Sequence, residues 1–169
     1  MTILLLIFLL LLPTPGWAVL TDSLTSFWEL GEASGTRSDS SGTNHLTDNA
    51  TVTQATGKVG NAAQFTSANS EYLSIADNAS ISTGNIDWTK SFWIYADTLA
   101  QYSMVASKGW GGADANTEWA LYYDGQLVFI AYNGTTEVAV MASNFGALST
   151  ATWYYVKIYH DSVTNVLGI

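Results

Sequence analysis

The feature that most constrains the fold is an alternation of apolar and polar residues in short segments from Leu24 onward. Successive side chains of a β-strand point to opposite faces, so a period of two in segments rich in Tyr, Trp, Thr, Val and Ile predicts strands. The apolar residues do not recur with the spacing of a long amphipathic helix. The predicted strands cover residues 24–30, 62–65, 71–76, 88–96, 102–107, 117–123, 126–132, 135–142 and 153–160.

Two residue pairs typical of tight turns connect three consecutive predicted strands. Asp124-Gly125 follows the first of the three strands and Asn133-Gly134 follows the second. Such pairs favour two-residue hairpin turns, so residues 117–142 are predicted to form an antiparallel meander. Its middle strand has apolar side chains on both faces, and we expect it to be covered on each side.

Length and composition indicate one folded domain with a large core. The chain has 169 residues, of which 48% are hydrophobic and 13% aromatic, and this fits a single hydrophobic core. Many short strands without crossover helices imply two packed sheets, because one open sheet leaves too many aromatic side chains in water. We therefore predict an all-β fold, an antiparallel two-sheet β-sandwich.

The N-terminus has the pattern of a secretory signal peptide. An apolar run over residues 3–12 is followed by two prolines and by Gly16-Trp17-Ala18, with small residues where signal peptidase cleaves. We predict a signal peptide over 1–18, a β-domain over 19–169, and a secreted or cell-surface location. The run is shorter than the about 20 residues of a membrane span, so no stable span is expected after cleavage. Because no Lys or Arg precedes the run, a misassigned start or an uncleaved anchor is the alternative.

The charge balance excludes several classes of partner and chemistry. Lys and Arg number 5 and Asp and Glu number 14, a formal net charge of -9. This field repels phosphate backbones, so nucleic acid is not an expected partner.

The absence of cysteine excludes disulfides, thiolate metal sites and thiol catalysis.

Several short motifs follow one another in order along the chain. They are Phe27-Trp28-Glu29-Leu30, Asp39-Ser40-Ser41-Gly42, Gly57-Lys58-Val59-Gly60, Ser91-Phe92-Trp93-Ile94 and Trp153-Tyr154-Tyr155-Val156. Their order and spacing resemble those of laminin-G-like, concanavalin A-like jelly-roll domains of secreted and surface proteins. In that family the chain continues past the last motif into a hairpin and a closing strand. We therefore expect a domain that is incomplete at its C-terminus and belongs to a longer parent protein.

The resemblance implies non-catalytic recognition of a glycan or another cell-surface or matrix ligand. The first alternative is a protein-binding or structural module of a larger surface protein. The second is a glycoside hydrolase fragment, because the fold also hosts such enzymes. Retaining hydrolysis needs two carboxyl groups about 5 to 5.5 Å apart, most simply from acids two residues apart on a strand, and no Glu here has such a neighbour. We therefore expect no enzymatic activity.

Carbohydrate binding requires exposed aromatic faces with polar side chains beside them. Trp110 lies in a glycine-rich loop with Asn116, and Tyr102 and Trp88 lie at strand ends. These residues are the candidate carbohydrate contacts, with local packing as the alternative for each ring. The remaining tryptophans beyond the leader lie in or at the start of predicted strands and are assigned to packing: Trp28, Trp93, Trp119 and Trp153.

Calcium is the candidate metal, because it binds six to eight oxygens and often takes them from Asp, Asn and backbone carbonyls in loops. One loop offers Asp39, Ser41 and Asn44, and another offers Asp114, with Asn116 and Glu118 after it. The alternative is an ordinary turn, since Asp and Ser side chains also bond the nearby backbone.

Overall fold

The computed structural model describes residues 23–109, 117–132 and 136–169. Within these ranges the chain is built from strands and one short 3-10 helix at Ser67–Asn69. The strands are β1 (Thr47–Asn49), β2 (Thr53–Thr56), β3 (Asn61–Gln64), β4 (Tyr72–Ser74), β5 (Trp88–Tyr95), β6 (Ser103–Lys108), β7 (Trp119–Tyr123), β8 (Leu127–Tyr132), β9 (Glu137–Met141), β10 (Trp153–Asp161) and β11 (Val166–Gly168). The prediction of an all-β fold is confirmed.

The strands form two larger sheets and two small ones. The larger sheets have the orders β6-β7-β8-β9 and β11-β10-β5, and the small ones pair β1 with β4 and β2 with β3. Every strand pair in these sheets is antiparallel. The predicted meander over 117–142 is confirmed as β7-β8-β9. Within the described ranges, no helix has the length and apolar character needed to cross a bilayer.

The two larger sheets share one hydrophobic core. Burial alternates strictly along β5, where Trp88, Phe92 and Ile94 are the more buried residues and pack against the core cluster. The buried residues of that cluster come from strands of both sheets and from one loop: Trp119, Leu121, Tyr123, Leu127, Phe129, Leu148, Val156 and Ile158. This arrangement has the character of a β-sandwich.

Strand β8 is covered on both faces, as predicted. Leu127 and Phe129 belong to the core between the sheets. Val128 and Ile130 point to the other face and form a second cluster with Ala120. All four β8 side chains are buried, which places this strand in the interior of its sheet.

The prediction of a strand over 24–30 is wrong, because that segment forms only a single bridge between Trp28 and Asp39. The backbone N–H of Phe27 donates to the Asp39 carboxylate at 2.8 Å. This N–H is therefore not available for a hydrogen bond to a neighbouring strand. Leu30 has a left-handed φ of 59°, which ends the extended conformation.

Other segments are more regular than the sequence pattern indicated. Residues 31–60, expected to lack strands, contain β1 and β2. Beyond the last predicted strand, β11 forms and pairs with β10, with Leu167 opposite His160. The Asp124-Gly125 turn is one residue longer than expected, since Tyr123 pairs with Leu127.

Several predictions fall outside the described residues. They concern the signal peptide over 1–18, the Asn133-Gly134 turn, and the candidate ligands Trp110, Asp114 and Asn116.

The contact between the two sheets gives the first testable prediction. Phe129 is fully buried in the shared core, and its ring meets that of Trp88 edge to face at 5.6 Å. We expect Phe129→Ala to lower the free energy of unfolding by about 3–5 kcal/mol, because it leaves a cavity between the sheets. Urea unfolding measures this value. Val163→Ala, at a residue that is 88% exposed, is the control and should change it by less than about 0.5 kcal/mol.

Candidate functional site

The structure brings the first predicted calcium loop together around Asp39. The Oδ1 atom of this buried carboxylate accepts backbone N–H bonds from Phe27 at 2.8 Å, Ser41 at 3.0 Å and Gly42 at 3.0 Å. Its Oδ2 atom accepts the backbone N–H of Asn44 at 3.1 Å. Burial acts to raise the pKa of Asp39, but the hydrogen bonds outweigh it and lower the pKa well below the ordinary value.

The side chain of Asn44 is also fully engaged in hydrogen bonds within the chain. Its Oδ1 atom accepts bonds from Asn78 Nδ2 at 3.1 Å and from Ser80 Oγ at 3.0 Å, and its Nδ2 atom donates to Ser26 Oγ at 2.7 Å. A calcium ion at this loop would compete with N–H and O–H donors for the same oxygens. Within the described ranges, no group of three or more His, Cys, Asp or Glu residues is arranged to hold a metal.

The second predicted calcium loop reaches the described residues only at Glu118. One oxygen of this carboxylate forms an ion pair with Lys108, and the other accepts both the backbone N–H and the hydroxyl of Thr83 at 2.7 Å. Lys108 also pairs with Asp77 at 2.7 Å. Burial acts to raise the pKa of Glu118, but these bonds lower it, so the carboxylate is charged and neutralised within the protein.

Trp88, a predicted carbohydrate contact, faces the core beside an inward-pointing lysine. The Nζ atom of Lys90 lies 4.0 Å from the ring centroid of Trp88 and 4.9 Å from that of Trp119. Burial lowers the pKa of Lys90 to about 8; the nearby charge of Glu118 opposes this shift and that of Lys108 adds to it. The ring of Trp88 is therefore a packing and cation–π partner.

The buried amine of Lys90 predicts a specific pH dependence of stability. Its folded-state pKa of about 8 lies below the value near 10.4 of an unfolded lysine. Between these two pKa values only the unfolded chain holds the proton, so the free energy of unfolding rises with pH in this window. Below the window Lys90 is protonated in both states, and the folded state carries the full energetic cost of the buried charge. We expect a rise of about 2 kcal/mol, reduced from the full linkage value because the side chain is partly exposed.

Lys90→Met removes the titrating group and should flatten this part of the profile while raising stability near neutral pH. Urea unfolding of both proteins between about pH 7 and about pH 9.5 measures the effect. Lys157→Met, which removes an exposed lysine, should leave the slope unchanged. Parallel profiles for the wild type and Lys90→Met would contradict the assignment.

Tyr102 is exposed, as a ligand contact must be, but it stands apart from Trp88. It is 72% exposed and has a left-handed φ of 62°. Its ring lies 6.3 Å from that of Tyr122 in β7. Trp88 begins β5 whereas Tyr102 comes after the end of that strand, so the two rings belong to opposite ends of β5.

A cluster of exposed aromatic side chains lies on the outer side of the three-stranded sheet. It consists of Trp93 and Tyr95 from β5 with Trp153 and Tyr155 from β10, and we call it the outer aromatic face. Antiparallel pairing sets Trp93 opposite Tyr155 and Tyr95 opposite Trp153. The ring centroids are 5.3 Å apart in the first pair and 5.2 Å apart in the second.

These rings are open to solvent. Trp93 is 46% exposed, Tyr95 43% and Tyr155 58%, while Trp153 is half-buried. The residues that continue the same side of β5, Thr89 and Ser91, are polar and exposed. The outer aromatic face thus combines stacking surfaces with hydrogen-bonding groups.

Sequence reasoning missed this face because it assigned Trp93 and Trp153 to packing. A signal was present: alternate residues of β5 form an apolar set, Phe92 and Ile94, and a mixed polar and aromatic set. A mixed face is typical of a solvated sheet surface. What could not be read from the sequence was which strand would place its own aromatic pair opposite.

A cavity of about 150 Å³ lies near this sheet, between the β10 side of the core and the loop after β9. Its lining is mostly apolar: Leu127, Ala142, Phe145, Leu148, Tyr154, Tyr155, Val156, Lys157 and Ile169. Ligand sites usually add several convergent polar groups to such a lining, so the outer aromatic face is the stronger candidate.

Comparison with known proteins finds no matching family model, no matching curated protein and no matching solved structure.

Proposed function

We propose that this domain is a non-catalytic carbohydrate-binding module, a jelly-roll domain of the concanavalin A-like type, and that the outer aromatic face is its binding surface. In this proposal it acts after export on a glycan of a matrix or cell surface. The observation that supports it most strongly is the exposure of two cross-strand aromatic pairs, Trp93 with Tyr155 and Tyr95 with Trp153.

Exposed aromatic rings suit sugar rings for a physical reason. The C–H face of a pyranose is apolar while its edge carries hydroxyls, so stacking on Trp or Tyr removes apolar surface from water and leaves the hydroxyls to bond polar neighbours. Thr89 and Ser91 supply such neighbours on the same side of β5.

The spacing of the rings favours an extended polysaccharide over a single sugar. Residues two apart on a strand are separated by about 6.8 Å, so the two aromatic pairs form successive steps along β5 and β10. A glycan chain that lies along the strands can stack on both steps, whereas one monosaccharide covers only one.

One pair of neighbouring acids, Asp87 and Asp161, lacks the general acid of a glycosidase. Asp87 Oδ1 accepts the backbone N–H and hydroxyl of Ser162 at 2.7 Å, and Asp161 Oδ1 accepts the backbone N–H groups of Val163 and Thr164. These bonds lower the pKa of both carboxyls. A glycosidase needs one carboxyl with a raised pKa to act as the general acid.

A protein-binding role is the second candidate, and exposed apolar residues on the four-stranded sheet favour it. Met104 from β6 and Val138 and Met141 from β9 are exposed. Exposed apolar surface of this kind often marks a contact with another protein.

Polysaccharide titration tests the primary proposal. We expect intrinsic tryptophan fluorescence to change when neutral and acidic soluble polysaccharides are added to the wild-type domain. Trp93→Ala and Tyr155→Ala should each weaken binding at least about tenfold, because aromatic anchors carry much of the affinity of an interface. Because both side chains are exposed, unfolding measurements should show that the variants remain folded.

Tyr102→Ala is the matched control, since it removes an exposed ring that lies beside Tyr122 of β7, in the other large sheet. Its affinity should equal that of the wild type. Titrations with calcium and with a chelator should agree, because the Asp39 oxygens already accept four backbone N–H bonds. If Trp93→Ala and Tyr155→Ala both bind polysaccharide with the affinity of the wild type, the outer aromatic face is not the binding site.

A further inference from the structure

Most of the positive charge of this chain is committed to the fold. The chain has 5 Lys and Arg residues. Arg37 is fully buried and donates to the carbonyls of Gly35 and Val52. Lys90 points into the core against two indole rings, and Lys108 forms ion pairs with two carboxylates.

The two remaining cations, Lys58 and Lys157, both border the outer aromatic face. The turn between β2 and β3 carries Lys58, whose Nζ atom lies 5.4 Å from the ring centroid of Trp93. Lys157 follows Tyr155 by two residues on β10, so it projects from the same side of the strand, and its Nζ atom lies 5.2 Å from the ring centroid of Tyr159, the next residue on that side. Its partner in the register is Ser91, two residues before Trp93.

Both lysines are exposed, and no carboxylate of the described residues lies within 4.0 Å of either amine. The acids nearest along the two strands are at their ends, with Asp87 before β5, Asp97 after it and Asp161 at the end of β10. The pair Trp93–Tyr155 is therefore flanked by unpaired positive charge, while the pair Tyr95–Trp153 has no adjacent lysine.

Local charge decides what this surface attracts, although the whole chain is acidic. At physiological ionic strength, charges beyond about 8 Å are largely screened. A ligand seated on Trp93 and Tyr155 thus interacts mainly with Lys58 and Lys157. A sugar hydroxyl uses such an amine only as a hydrogen-bond donor, whereas a carboxylate also gains from the charge.

We propose that the ligand of the outer aromatic face is an acidic, uronate-bearing polysaccharide, with a carboxylate held between Lys58 and Lys157 beside the Trp93–Tyr155 pair. The inference rests on the proposed carbohydrate-binding function and specifies its ligand class. The neighbouring Tyr95–Trp153 pair then stacks on the next sugar of the same chain.

Matched neutral and acidic glycans test this inference on the full chain. The probes are cello-oligosaccharides and their counterparts oxidised to the carboxylate at C6, together with galactan and galacturonan oligosaccharides. In at least one pair, we expect the acidic member to bind about tenfold more tightly at low salt, since each exposed ion pair strengthens a complex a few-fold. This preference should disappear near 1 M salt, where the screening length falls to about 3 Å.

Charge-removing variants locate the effect. Lys58→Gln and Lys157→Gln should each reduce the preference for the acidic member, and the double variant should bind the acidic and the neutral member equally. Lys157→Arg keeps the charge and should keep the preference. An acidic preference that persists in the double variant would refute the assignment of these two lysines.

The remaining outcomes separate this inference from the proposed function. Equal binding of both members of each pair, lost in Trp93→Ala, would overturn the acidic ligand and support the binding surface. Binding of neutral polysaccharides alone, also lost in Trp93→Ala, would likewise overturn the acidic ligand and support the binding surface. If neither these probes nor the wider polysaccharide panel binds the wild type, the carbohydrate-binding function itself fails, and the ligand class fails with it.

Discussion

The packing of β5 against the four-stranded sheet is the contact on which the rest of the structure depends. Trp88, Phe92 and Ile94 turn one face of this strand into the core, where the ring of Trp88 meets that of Phe129. Because the side chains of a strand alternate, this commitment directs Trp93 and Tyr95 outward. The exposed aromatic surface is thus a geometric consequence of the buried one.

Register then turns two separate aromatic residues into pairs. β10 is held by its own buried residues, Val156 and Ile158, which leaves Tyr155 on the outer side opposite Trp93. A shift of one residue would expose the core positions and bury the rings. The free energy of core burial therefore maintains the arrangement of the surface, and the surface residues are free to serve a ligand.

The polar residues of the chain divide into those that stabilise loops and those left available. Asp39 shows the first use, since its carboxylate organises a loop by accepting four backbone N–H bonds. Lys90 shows a costly use, an amine whose pKa is lowered by burial between two indoles. Lys58 and Lys157 remain at the surface, which concentrates available positive charge on one side of an acidic protein.

The sequence by itself determined the strand-rich fold, the meander over 117–142 and the two-sided burial of β8, because alternation and turn residues act over short distances along the chain. It did not reveal that Phe27 gives its N–H to Asp39 in place of a strand partner, nor that Trp93 meets Tyr155 across β5 and β10. Those contacts join residues far apart in sequence. Only the tertiary structure decided them, since register and sheet packing are set by the core as a whole and not by any local segment.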